Sequence, residues 1–177
     1  MRDLKPQEKN DVLEKLNFFI GDNVGRIIDK DNKIVFHHQR VMLVSENVYA
    51  ATSMIPRKCI AIAGTVLGKF TKTGRFRLGV AALHILSQYA IHRVWIKSSA
   101  EMCYLYGNNS LKSHVFRLSE GIPQNAGVVV YNQNDVPLGF GVTSLSAQAY
   151  STAKGHALVL LRQVDAGMYI RDEEHAL

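Results

Sequence analysis

From Arg93 onward, short runs of β-branched and aromatic residues alternate with turn residues about every 8–12 positions, the spacing of a small all-β unit. The clearest piece is Gly127-Val-Val-Val-Tyr131, the polar turn Asn132-Gln-Asn-Asp135 and Val136-Pro-Leu-Gly-Phe-Gly-Val142, which together read as a β-hairpin. Val94–Ile96, Leu111–Leu118, Ala157–Val164 and Gly167–Arg171 read as further strands. Ser98–Tyr106 reads as one short helix, with serine at its N-terminal cap and Gly107 closing it. Such a set predicts a small β-barrel.

The preceding half has a different texture. Pro6–Ile20 carries Val12, Leu13, Leu16, Phe19 and Ile20 at helical steps, with proline suited to the first turn and Gly21 to the C-terminal cap. Gly25–Ile28 and Lys33–Phe36 read as strands flanking the turn Asp29-Lys-Asp-Asn32, and Arg40–Val44 as a third strand. Glu46–Met54 reads as a short helix and Lys58–Ala63 as a central strand. Phe76–Ala90 begins extended and turns helical, with Val80, Leu83, His84 and Leu86 towards a core. The expected architecture is α+β, a mixed α/β domain over residues 1–92 packed on a barrel over residues 93–177.

The longest apolar run, Ile60–Gly68, is far short of the roughly 20 residues of a membrane-spanning helix. The polar, carboxylate-bearing first ten residues do not fit a signal or transit peptide. Two cysteines without a Cys-x-x-Cys give neither a disulfide framework nor a zinc site. The expectation is a soluble, reduced, intracellular protein with no membrane contact.

The formal charge of +6 lies entirely in residues 1–92, and residues 93–177 balance. Between Glu46 and Glu101 there is no carboxylate, while Arg57, Lys58, Lys69, Lys72, Arg75, Arg77, Arg93 and Lys97 all fall there. This interval must be answered by carboxylates brought near in the fold or by an anionic partner. Asp172-Glu173-Glu174 reads as an acidic tail.

Catalytic patterns fail on their spacing. Gly64-Thr-Val-Leu-Gly-Lys-Phe70 has three residues between its glycines where a P-loop needs four, and Phe where it needs Ser or Thr. Gly139-Phe-Gly141 lies inside a hairpin rather than before a helix. His37 and His38, as strand neighbours, are expected on opposite faces, and no histidine shows ligand spacing. Cys59 and Cys103 are expected as core thiols, and Asp29 and Asp31 as turn residues. These readings favour a binder without catalytic, metal or cofactor site.

Val94-Trp-Ile-Lys97, the helix Ala100–Tyr106 ending at Gly107, and the hairpin Gly127–Val142 resemble a PUA domain, a small RNA-binding barrel. With Leu67-Gly-Lys-Phe-Thr-Lys-Thr-Gly-Arg-Phe-Arg-Leu78 before it, nearly the whole chain resembles the Nip-seven family of 60S ribosomal subunit biogenesis proteins. The resemblance implies a non-enzymatic, nucleolar, pre-60S assembly factor, a monomer outside the particle. The implied partners are pre-rRNA, other pre-60S factors and components of the RNA-processing exosome.

In PUA domains RNA lies along the first helix, the loop after it and the following strand. Carried over, this nominates Tyr106, Gly107, Asn108, Asn109, Lys112, Ser113 and Arg117. Two departures are evident: His114 and Phe116 stand where the pattern has small glycines, and Phe116 is expected to point inwards. Lys69, Lys72, Arg75 and Arg77 are expected to form a second basic face for RNA phosphates or for an acidic protein partner. The rival readings are an accessory subunit of an RNA-modifying enzyme and a pure protein-docking adaptor.

Overall fold

The computed structural model describes residues 1–28 and 31–171. They form two compact bodies, dividing between Ala82 and Leu83.

The first body is built from β1 (Arg2–Asp3), α1 (Pro6–Ile20), α2 (Val24–Ile27), β2 (Asn32–His37), β3 (Arg40–Ser45), α3 (Glu46–Thr52), β4 (Thr65–Phe70) and β5 (Phe76–Leu78). Its strands pair antiparallel in the order β1-β2-β3-β4-β5. The apolar stripe of α1 buries Val12, Leu16, Phe19 and Ile20, and the helix packs beside β5. Val35, Met42, Val44 and Val66 form a further core with Ile60 and Ala63. Gly21, at φ 54, closes α1 as its position implied, its N–H donating to the Asn17 carbonyl.

Two of the expected strands are absent. Val24–Ile27 is the helix α2, so β2 pairs with β3 through His38 and Gln39, both at positive φ. The Asp29 half of the predicted turn lies outside the described residues. Arg57–Cys59 is a 3-10 turn rather than the start of a strand, leaving Cys59 exposed, not in the core. Ile60 and Ala63 still reach the core because the following loop folds over the sheet. His38 enters the turn and sets its ring 4.0 Å from that of His37, so the pair does not straddle the sheet. His37 itself is buried, hydrogen-bonded to the Ile60 carbonyl.

The second body contains α4 (Leu83–Tyr89), β6 (Arg93–Ile96), α5 (Ser98–Leu105), β7 (Ser110–Leu111), β8 (Val115–Leu118), β9 (Gly127–Tyr131), β10 (Pro137–Thr143), α6 (Ala147–Thr152), β11 (Leu158–Asp165) and α7 (Met168–Arg171). The six strands run β7-β11-β10-β9-β6-β8 in a nearly closed barrel, antiparallel except for β6 with β9. Val94, Ile96, Tyr104, Val128, Val130 and Leu160 lie in its core. Every residue of β9 is buried, because α4 packs against it; Tyr131 donates its hydroxyl proton to the Ser87 carbonyl at 2.7 Å. That packing draws α4 into the second body, upstream of the boundary expected near Arg93.

Further differences lie in the barrel. Leu111–Leu118 is two strands interrupted by a 3-10 turn, Gly167–Arg171 forms helix α7, and α6 is an additional helix. Lys97, not serine, is the cap residue of α5; the Ser98 hydroxyl donates to Gln133 instead. His84 is exposed and Cys103 half-buried. Phe116 is 56% exposed, contrary to the expected inward placement. The acidic tail from Asp172 lies outside the described residues. Among the described residues no helix is long and apolar enough to cross a membrane, and no three His, Cys, Asp or Glu side chains gather as metal ligands.

Candidate nucleic-acid interface

Helix α5 ends at Leu105 with Tyr106 as its C-terminal cap residue, and Gly107 follows at φ 95, a left-handed conformation that glycine adopts without steric cost. Asn108 folds back, its backbone N–H and its amide both donating to the Cys103 carbonyl at 3.3 and 3.0 Å. A helix-end acceptor is thereby satisfied locally. The Asn109 side-chain oxygen accepts the backbone N–H of Arg162 at 2.9 Å, tying this loop to β11. Tyr106 stands 67% exposed beside it.

Two guanidiniums that the sequence did not nominate lie against Gly107. A Cβ on this glycine would sit 3.5 Å from the Arg171 and 3.7 Å from the Arg162 side chain. Both are held by Asp165, whose side chain is fully buried: Arg162 Nη1 donates to Oδ2 at 2.7 Å, and Arg171 Nη2 to Oδ1 and Oδ2 at 3.0 and 2.9 Å. Among the described residues one carboxylate faces two guanidiniums, leaving positive charge in excess, and the buried Arg162 Nε–H has no hydrogen-bond acceptor. The adjacent Tyr104 phenol is pushed well above its ordinary pKa, first by burial and then by the Asp165 charge, so it stays neutral.

The arrangement follows from a bulge. Gly141 pairs with Arg162 and Phe140 with Val164, leaving Gln163 as an extra residue on β11. In a regular strand residues three apart point to opposite faces; one inserted residue restores them to the same face, where Arg162 meets Asp165. The only sequence signal for this pair was an Arg and an Asp three apart, which alternation reads as divergent.

The other nominated residues separate. Lys112 Nζ donates to the Ser151 and Ala153 carbonyls at 3.1 and 2.8 Å and sits over the Tyr150 ring, so it caps the C-terminal end of α6. The Ser113 N–H donates to the Gly155 carbonyl, and its own carbonyl accepts from Lys97 Nζ. These two residues fasten the 110–114 segment. Arg117 lies opposite Trp95, its guanidinium 3.9 Å from the indole centre.

The basic interval of the first body is ordered by the sheet. Lys69 pairs directly with Arg77 on one side and with Arg40 on the other, so three cations form a row across β3, β4 and β5 on one face. None forms an ion pair with a described carboxylate. Lys72 and Arg75 are exposed at the hairpin tip, which Thr71 braces by exchanging hydrogen bonds with Arg75. Arg40 was not nominated from sequence, since its place in the row depends on strand register.

Residues 1–80 match the family model described as the NIP7/UPF0113 pre-PUA domain, and residues 92–174 match the UPF0113 PUA domain. The chain belongs to the NIP7 family. A relative from Schizosaccharomyces pombe, named 60S ribosome subunit biogenesis protein nip7, is 42% identical over 98% of each chain. A NIP7 homolog of the same description from Dictyostelium discoideum is 44% identical over 98% of this chain and 99% of its own. Among solved structures, a hypothetical protein from Pyrococcus horikoshii shares the fold at a TM-score of 0.60 and 16% identity, over 92% of each chain. A PUA-domain protein from Aeropyrum pernix does so at 0.59 and 15%, over 93% of this chain and 86% of its own. The NIP7-family assignment accounts for both bodies and identifies the barrel bearing Gly107, Arg162 and Arg171 as the PUA domain.

Proposed function

We propose that this NIP7-family chain is a non-enzymatic RNA-binding assembly factor of the large ribosomal subunit, acting in pre-rRNA processing in the nucleolus. Full-length kinship with proteins named for 60S subunit biogenesis carries the reading. The geometry supplies a chemical basis: an exposed aromatic ring, a glycine backbone without a Cβ, and two pinned guanidiniums suit a base stacked on Tyr106 with its phosphate at Arg162 and Arg171. Asn108 and Asn109 flank that position. Its partners are pre-rRNA and other pre-60S factors, with exosome components among them, and it is a monomer outside the particle. Depleting the protein should lower the ratio of 60S to 40S subunits and accumulate large-subunit precursor RNA. Rescue should succeed with wild type and fail with R162Q/R171Q. An unchanged ratio on depletion would contradict the reading.

The row Arg40, Lys69 and Arg77, with Lys72 and Arg75 at the tip, serves in the same reading as a second phosphate-contacting face. Neutralising Lys69, Lys72, Arg75 and Arg77 should flatten the salt dependence of RNA binding by about 3 in log–log slope, at roughly 0.7 per single-strand contact. An unchanged slope would assign the row to an acidic protein partner instead.

A further inference from the structure

The barrel carries a second basic–aromatic feature away from the α5 loop, on β6, β8 and β9. It is an open groove of about 580 Å³ lined by Arg93, Trp95, Arg117, Tyr131 and Asp135, with Gln88 at its margin. Trp95 and Tyr131 are stacked, with centroids 5.9 Å apart and planes at 28°. A guanidinium lies at either end of this pair: Arg117 at 3.9 Å from the indole and Arg93 at 5.7 Å from the phenol ring. Asp135 accepts the Trp95 Nε1–H at 2.6 Å, and Tyr131 donates to Ser87, so both rings are fixed by their polar tips. Neither arginine forms an ion pair with a described carboxylate, although Asp135 lies in the same groove. Both cations are thus oriented by ring contacts while their donors remain available.

We infer that this groove is a second single-stranded RNA site, in which a base stacks on the Arg117 guanidinium and the flanking phosphates are held by Arg117 and Arg93. Arg93 and Trp95 are two residues apart on β6, an advance of about 6.6 Å, and Arg117 pairs with Trp95 across the strands. The two cations are therefore offset along the groove as successive contacts to one extended strand require. The Arg117 guanidinium, centred 3.9 Å from the indole, is a planar exposed group on which a base can stack, a contact that an acidic peptide does not use. This site rests on the RNA-binding reading above and extends it, because an RNA engaged at both the α5 loop and this groove is held at two sectors of one barrel.

Trp95 is the single tryptophan of the chain, so its emission reports on the groove directly. The test titrates the full chain with a mixed-sequence ten-nucleotide RNA, following anisotropy of the labelled RNA and tryptophan emission together, with deca-aspartate as the competing probe. The expected result is a saturable emission change that tracks binding. R93Q/R117Q should lose that change, weaken binding by about fivefold or more, and reduce the salt slope by about 1.4, at roughly 0.7 per charge. Binding with unchanged emission and equal affinity for the variant would overturn this site alone. No binding by the wild type would overturn both this site and the proposed function. An emission response to deca-aspartate but not to RNA would overturn it in favour of a protein-docking groove. Should the double variant melt early, R117K decides: it keeps the charge and the slope but should lose most of the emission change, and retention of the full change would overturn the stacking role.

Discussion

A buried carboxylate remains an anion only where cations and hydrogen bonds replace its water, and Asp165 has two guanidiniums doing so from different elements, β11 and α7. Removing it leaves Arg162 and Arg171 without their common anchor. Asp165→Ala should therefore destabilise the protein by about 3 kcal/mol, the lower end for breaking a buried pair because the arginines are partly hydrated. Urea denaturation measures this, and a loss under about 1 kcal/mol would show that the cluster is not structural. The same local geometry explains which residues were legible in the sequence. The turn at Gly107 and Asn108 was readable because helix-ending chemistry is local, Gly107 taking a left-handed φ and Asn108 donating back to the Cys103 carbonyl. The bond from Arg162 to Asn109 instead joins residues far apart in the chain. Arg162 and Asp165 were not readable, because the extra residue Gln163 reverses the parity of β11. Phe116 misled for the same reason: Val115 pairs with Ile96 and Arg117 with Trp95, so Phe116 is the residue left over and turns outward.

At the scale of elements, β1 is fastened to α1 by Arg2 and Glu8. The guanidinium donates to both carboxylate oxygens at 2.8 and 2.7 Å, and the Lys5 N–H adds a third bond at 2.9 Å. These hold the Glu8 carboxyl down at about 2, the Arg2 hydrogen bonds being the largest cause. Because the folded value lies below the unfolded one, this stabilisation is fully present above the usual carboxylate range and is lost as pH falls towards 2. Exposure of Arg2 limits it to about 1 kcal/mol. Unfolding of Glu8→Gln followed from pH 6 to 2 should show a correspondingly shallower acid loss than wild type, and parallel curves would contradict the assignment. Across β3, β4 and β5 the row Arg40, Lys69 and Arg77 acts in the opposite sense, since like charges directly opposite repel. K69Q should raise the melting temperature slightly while weakening RNA binding; a fall in stability would mean that the row is already compensated within the fold. The β9–β10 hairpin was legible because turn chemistry and branched residues agree there. Gly25–Ile28 and Lys58–Ala63 were not, because Ile27, Ile60 and Ala63 are buried by helix and loop packing rather than by a ladder.

At the scale of the molecule, the division of charge seen in the sequence acquires a spatial meaning within each body. The first body, which holds the excess positive charge, displays it as an ordered row and a braced hairpin tip. The nearly neutral barrel concentrates its cations at two aromatic-bearing places, beside Tyr106 and over Trp95. Net charge alone therefore understates the barrel as an anion-binding surface, because Asp165 and Asp135 are occupied internally. On the proposed function, this NIP7-family chain contacts large-subunit precursor RNA through its barrel. Ultraviolet crosslinking in cells, with identification of both the attached RNA and the crosslinked peptide, tests it most directly. The expected result is large-subunit pre-rRNA joined to peptides spanning residues 106–109 and 162–171. Absence of ribosomal RNA above background, or crosslinks confined to residues 69–77, would contradict it.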